Sequence, residues 1–160
     1  MSLRESIMRQ LAPHLEVATP NMYAELPVLN SKQIHRWIAS ITTVPIPIDE
    51  LHVTVMYSTA DVNMSLVKPS KAFVLPGNRD RKLKRLGEAT ALILSEHEAR
   101  YPKAIWQMFR NAGASWDFPS FIAHMSISYK WEVDQATLDK INAYDGPISL
   151  GPYIAKPLEP

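Results

Sequence analysis

The sequence predicts a single α+β domain, bilobal and pseudo-symmetric, with a mostly antiparallel sheet. Three observations predict it. At 160 residues, with 46% hydrophobic and 21% charged side chains, the chain is long enough to bury one real core and too apolar for global disorder. Strand-period and helix-period apolar patterns follow one another as strand, helix, strand, and that order occurs twice. Each half also contains one alternating strand of the form His-x-Thr/Ser, at His52 to Thr54 and at His124 to Ser126. One domain is therefore expected over 1–160, with residues 1–20 as an N-terminal arm and 1–12 of it a short amphipathic helix or a loose segment.

Met22 to Leu29 has extended character, and Pro27 confines it to a sheet edge or a strand end, because proline has no N–H for the ladder. Asn30 or Ser31 is placed to cap a helix over 31–41, in which Ile34, Trp37, Ile38 and Ile41 share one face. Val44-Pro-Ile-Pro-Ile48 ends it and enforces an extended connector. Leu51 to Tyr57 reads as a strand, with Leu51, Val53 and Val55 on the core side and His52, Thr54 and Met56 on the other. Two shorter strands, 71–75 and 82–86, lie around the turn-like Pro76-Gly77-Asn78, and 89–94 is a compact apolar strand. Ser95 and Glu98 have capping-box spacing ahead of a helix with the stripe Ile105, Met108, Phe109 and Ala112. Pro102 is tolerated only near that helix's first turn, and Gly113 is its C-terminal stop. Phe121 to Tyr129 is a further alternating strand, with Ala123, Met125 and Ile127 on its core side. A helix over about 134–143 follows, capped by Asp134, and 148–154 supplies the last strand.

Composition removes several function classes. A net charge of +1 is too small to hold long nucleic acid by bulk electrostatics, and it leaves open a small anionic ligand in a local positive pocket. With no cysteine, disulfides, thiolate metal sites and a cysteine nucleophile are excluded. No apolar run approaches the roughly 18 residues that span a bilayer. The opening Met-Ser-Leu-Arg-Glu-Ser lacks the apolar core of a signal peptide. The expectation is a cytoplasmic protein with no membrane partner.

The chemistry lies in the two His-x-Thr/Ser strands. Side chains two apart on a strand share a face, so His52 points with Thr54 and His124 with Ser126. If the strands are neighbours, two imidazoles and two hydroxyls converge on a space the size of a phosphate. Cleaving a phosphodiester needs a base for the attacking hydroxyl and an acid for the leaving oxygen, and histidine does both near neutral pH. The hydroxyls can hydrogen-bond the non-bridging oxygens, and no metal or other cofactor is required. A Ser or Thr two after a histidine is expected roughly one time in eight from average usage. His14, His35 and His97 lack it, whereas both strand histidines have it, and both are followed by an aromatic at the same place, Tyr57 and Tyr129. The competing readings are exposed strand histidines, a zinc site and a serine hydrolase. The second lacks His-x-x-x-His spacing and a carboxylate within either motif, though Asp49 and Asp117 are in the chain; the third lacks a Gly-x-Ser-x-Gly turn.

Other features carry weaker expectations. Tyr23, Tyr57, Trp116, Tyr129 and Tyr153 are candidates for stacking a nucleobase, each with an ordinary core or rim role as its alternative. Trp37 and Trp106 read as core. The basic run Arg79 to Arg85 reads first as a solvated turn and charged edge strand, and second as a guide for an anionic ligand.

Leu51-His-Val-Thr-Val-Met-Tyr-Ser58 and Phe121-Ile-Ala-His-Met-Ser-Ile-Ser-Tyr129 resemble the paired motifs of the two-histidine (2H) phosphoesterase superfamily. The separation of 72 between the histidines, the Leu-His-x-Thr-x-x-Tyr-Ser wording and Gly-Ala-Ser-Trp-Asp-Phe-Pro-Ser-Phe before the second motif are similar to the phage anti-CBASS nucleases. Tyr23 also resembles that family's early tyrosine, and the likeness covers roughly residues 20–155. Ser126 stands where many members carry threonine and keeps the hydroxyl. The resemblance implies a bilobal fold and a metal-independent phosphodiesterase that cleaves 3′–5′ bonds of cyclic di- and trinucleotide messengers, such as cyclic GMP–AMP, in the host cytoplasm. It implies attack by a ribose 2′-hydroxyl, one histidine taking its proton and the other protonating the 5′-oxygen. The alternatives are an RNA 2′,3′-cyclic phosphodiesterase and a non-catalytic module that sequesters cyclic nucleotides. Which histidine is acid, the preferred bases and the oligomeric state stay open at this level.

Overall fold

The computed structural model describes residues 21–130 and 133–157. Eight strands fall within them: β1 (Met22–Pro27), β2 (His52–Ser58), β3 (Phe73–Leu75), β4 (Lys82–Leu86), β5 (Ala89–Ile93), β6 (His124–Ser128), β7 (Ile148–Leu150) and β8 (Ile154–Pro157). Two longer helices, α1 (Ser31–Ile41) and α2 (Arg100–Asn111), and a single turn, α3 (Gln135–Leu138), complete the frame. The expected N-terminal arm lies outside the described residues.

Six strands form one sheet in the order β4-β5-β6-β2-β1-β8, with every pairing antiparallel, and β3 pairs with β7 in a separate ribbon. The expected α+β class and the two lobes are therefore present. One lobe is β1-α1-β2, the other β5-α2-β6, and they join where β2 meets β6. Both helices bury the predicted stripes: Ile34 and Ile38 of α1, and Ile105 and Phe109 of α2, are buried with Val53, Val55, Leu92, Met125 and Ile127 in one core. Burial of each such side chain contributes about 1.5–3 kcal/mol.

Local chemistry sets the helix ends. Ser95 and Glu98 make the expected reciprocal bonds, but on the turn that leads into α2: the Ser95 N–H donates to Glu98 Oε1 at 3.1 Å and the Glu98 N–H to Ser95 Oγ at 3.2 Å, while the residue before the helix, Ala99, offers no side-chain cap. Pro102 sits in the first turn of α2, where its missing N–H is one that no helical carbonyl would have accepted. At the other end Gly113 takes φ +106, a left-handed conformation that suits glycine. Asn30 does not cap α1 through its side chain. Its amide instead donates to the Pro147 carbonyl at 2.8 Å and accepts from the Ser149 N–H at 3.0 Å, tying α1 to β7.

Several expectations are corrected. The helix expected over 134–143 is one turn; Asp134 does cap it, accepting from the Thr137 N–H at 2.8 Å, but Leu138 is its only buried residue. The strand expected over 148–154 is two strands in two different sheets, because Pro152 has no N–H for a ladder and Gly151 turns back to donate to the Pro27 carbonyl at 2.8 Å. The two short strands expected around Pro76-Gly77-Asn78 are both present, and they lie in different sheets: β3 joins β7 and β4 joins β5.

The most consequential correction concerns register. Ala24 pairs with Met56 but Glu25 with Thr54, so Val55 is an extra residue in β2. Thr90 pairs with Ser128 but Ala91 with Ser126, so Ile127 is an extra residue in β6. Each lobe thus carries a β-bulge immediately after its hydroxyl residue. A bulge reverses the alternation beyond it. Met56 is therefore on the core side, fully buried opposite Ala24, and not on the side of His52 and Thr54.

Candidate active site

The antiparallel register around the Val53–Met125 pair carries His52 beside Ser126 and Thr54 beside His124. Val53 and Met125 are fully buried on the core side, so all four polar side chains occupy the opposite face of the sheet centre. Residues directly across an antiparallel pair share a face. By that rule Glu25, opposite Thr54, and Tyr23, opposite Tyr57, lie on this face too. The bulge at Val55 is what brings Tyr57 there; strict alternation from Val53 would have turned it into the core. Tyr129 holds the same place after the second bulge, one residue beyond β6, and is half-buried.

Both imidazoles are held the same way. His52 Nδ1 lies 2.6 Å from the Glu50 carbonyl and His124 Nδ1 lies 2.7 Å from the Ile122 carbonyl, in each case two residues upstream. A carbonyl accepts only, so Nδ1 must carry the proton, and in the neutral ring Nε2 is left as the base.

The two histidines differ in their surroundings. Glu25 is buried, with its Oε2 3.6 Å from His52 Nδ1. At His124 the contact of Nδ1 is the Ile122 carbonyl, and although part of the residue reaches solvent, burial pushes the imidazole below its ordinary value, against the opposing pull of that carbonyl. Tyr23 completes the first half-site: its hydroxyl is 3.3 Å from Thr54 Oγ1 and its ring meets His52 edge-on at 6.2 Å. Burial, with a further contribution from the Asp117 charge, raises the Tyr57 phenol above its usual range.

The aromatic candidates divide. Tyr23 and Tyr57 are only 4% and 2% exposed, which leaves neither a free ring face for a base; their place is beneath the polar groups. Tyr153 packs edge-on against Phe109 of α2 at 5.2 Å. Trp116 packs against Trp106 of α2, Phe118 and Phe121, and donates its indole N–H to the Ser120 carbonyl. Trp37 and Trp106 are half-buried against the core. Glu25 escaped the sequence reading, although it stands two residues from Tyr23, the same spacing that joins His52 to Thr54. Among the described residues no three His, Asp or Glu side chains gather as a metal site, and no helix is long and apolar enough to cross a membrane.

The fold is that of the 2H phosphoesterases. A crystal structure of a phosphoesterase superposes with a TM-score of 0.61 at 13% identity, covering 86% of this chain and 87% of that one. Escherichia coli LigT complexed with NADP+ gives 0.62 at 15% identity, covering 87% and 88%. Within this class, residues 20–160 match the family model of the anti-CBASS protein Acb1, and the chain belongs to that family. Relatives carrying that name in Sphingomonas paeninsulae and in Caulobacter sp. (strain RHG1) are 29% and 25% identical over 87% and 86% of this chain. The matched segment spans 23% and 22% of those two proteins, under a quarter of their length.

Proposed function

We propose that this chain is a metal-independent phosphodiesterase that cleaves 3′–5′ bonds of cyclic di- and trinucleotide messengers and so counters CBASS, the cyclic-oligonucleotide defence of bacteria. The observation that carries this reading is the twofold pair of imidazoles, each with Nδ1 on a carbonyl two residues upstream and Nε2 left for chemistry. Family membership supports the substrate class.

In this reading the substrate's ribose 2′-hydroxyl attacks the adjacent phosphorus. His124, disfavoured as a cation by its burial, takes the hydroxyl proton on Nε2 as the O–P bond forms. His52, with the Glu25 carboxyl 3.6 Å from its Nδ1, gives a proton to the departing 5′-oxygen as the P–O bond breaks. Thr54 and Ser126 donate to the non-bridging oxygens and hold phosphorus in line, with Tyr23 orienting Thr54. The first product is a 2′,3′-cyclic phosphate, which water opens when the two histidines exchange roles.

A substrate panel in EDTA tests this reading: cyclic dinucleotides, cyclic trinucleotides, their 2′-deoxy analogues, and RNA 2′,3′-cyclic ends. The expected result is cleavage of the cyclic oligonucleotides with EDTA present and none of the 2′-deoxy forms. Loss of turnover in EDTA sinks the metal-free mechanism, cleavage of the 2′-deoxy forms sinks 2′-hydroxyl attack, and action on RNA ends alone replaces the substrate class. Binding without turnover makes the chain a sequestering module.

A further inference from the structure

The basic run Arg79 to Arg85 is sorted by the pairing of β4. Arg81 is buried, with its guanidinium bonded to Glu98 and to the carbonyls of Pro76, Tyr144 and Gly146, so it has no capacity for a ligand. Leu83 pairs with Leu92 on the core side. Lys82 and Lys84, on the other side, are exposed.

Following the ladder outward from β6, His124 pairs with Ile93 and Ile93 with Lys82, while Ser126 pairs with Ala91 and Ala91 with Lys84. The two lysines therefore stand on the same sheet face as the imidazoles, in line with His124 and Ser126 and two strands away. Two strand spacings amount to about 10 Å. Between them the floor is Ile93 and the small Ala91. Neither lysine has an ion-pair partner among the described residues. Beside Lys82 the surface opens into a cavity of about 490 Å³ that Arg79, Ser95 and His97 also line, together with the carboxylates of Asp80 and Glu96.

We propose that Lys82 and Lys84 form a second phosphate subsite, which holds the non-scissile phosphate of a cyclic oligonucleotide while the histidines act on the first. This rests on the phosphodiesterase reading for its first site only. A cyclic di- or trinucleotide carries a second phosphate at a fixed separation from the scissile one, whereas a mononucleotide cyclic phosphate or a dinucleoside monophosphate does not. The subsite therefore selects for substrate size through charge and spacing, not through the bases.

The test compares 3′,3′-cyclic di-AMP with adenylyl-3′,5′-adenosine, which has the same bond and 2′-hydroxyl but one phosphate. The variants are Lys82→Ala/Lys84→Ala, the rescue Lys82→Arg/Lys84→Arg, and Arg85→Ala, which removes one positive charge from the opposite face of the same strand, where Arg85 pairs with Thr90. The alanine pair is expected to raise KM for the cyclic dinucleotide about tenfold, as two partly exposed charge contacts of about 0.7 kcal/mol each would. KM for the single-phosphate substrate should stay within about twofold, and the arginine pair and Arg85→Ala should both resemble the wild type. Equal losses for both substrates, or no loss for either, overturn the proposal. If the wild type cleaves neither, calorimetric binding of cyclic di-AMP separates the two ideas. Binding that the alanine pair weakens about tenfold keeps the subsite and refutes the phosphodiesterase reading. Binding that it leaves unchanged, or no binding at all, refutes the subsite.

Discussion

Replacing Arg81 with methionine tests how the second lobe is held together. Arg81 spends all five N–H donors internally. Its Nε donates to both Glu98 oxygens at 3.1 Å, Nη2 to Glu98 Oε2 at 2.7 Å and to the Pro76 carbonyl at 3.0 Å, and Nη1 to the Tyr144 and Gly146 carbonyls at 3.1 and 2.5 Å. These bonds join the start of β4, the loop before β7 and the turn that leads into α2. Methionine fills much of the volume but leaves a buried carboxylate with the Ser95 N–H as its remaining donor, and three carbonyls without the guanidinium. Breaking one half of a buried pair costs about 3–5 kcal/mol, and in a domain of this size that lowers Tm by roughly 10 °C. Urea and thermal unfolding measure it. Adding Glu98→Gln removes the stranded charge and should recover part of the loss, because a matched neutral pair avoids the uncompensated burial. A loss below about 1 kcal/mol for Arg81→Met, the value of an exposed pair, or a double variant as unstable as both single effects added, would refute the clamp.

Three further outcomes follow from the same geometry. His124 must be neutral to act as a base, and its burial lowers its pKa, so kcat/KM should hold as pH falls to its ordinary value of about 6.5 and decline only below it; a decline centred above 6.5 excludes His124 as that base. Glu25→Gln keeps the shape and removes the carboxyl 3.6 Å from His52, so kcat should fall roughly tenfold to a hundredfold with KM little changed; an unchanged kcat leaves Glu25 without a positioning role. Gly113→Ala forces a side chain into φ +106 with its Cβ 3.1 Å from the Asp61 carbonyl, which should cost about 1–3 kcal/mol in urea unfolding; an unchanged midpoint contradicts the need for glycine there.

The fold was legible wherever apolar spacing alone decides it. Ile34 and Ile38, Ile105 and Phe109, and Val53 and Met125 are all buried where their periods put them. The failures come from pairing, which periodicity does not contain. Nothing in Val55 or Ile127 marks a bulge, since each is a good strand residue; only the partner strand's register reveals it. Without the bulges the repeated tyrosines at 57 and 129 have no common face with the histidines. Pro152 was a readable break within the last strand and was outweighed by the apolar residues around it. In the site, His52, Thr54, His124 and Ser126 stood out by spacing, whereas Glu25 and the Lys82–Lys84 pair needed the neighbouring strand to be meaningful. Arg81 shares its side of β4 with Leu83, an alternation visible in the sequence but masked by the charges on either side.

The central claim is that two imidazoles on one sheet face act as a single acid–base unit. Single-turnover cleavage of a cyclic dinucleotide in EDTA by the wild type, His52→Ala, His124→Ala and the double variant tests it most directly. Residues that act as a unit are strongly non-additive, so each single substitution should reduce the rate by about 10²–10⁴-fold, the usual contribution of a positioned acid or base, and the double should be little slower than either. Rates within about tenfold of the wild type for either single variant, or a double variant slowed by the product of the two single effects, would contradict it.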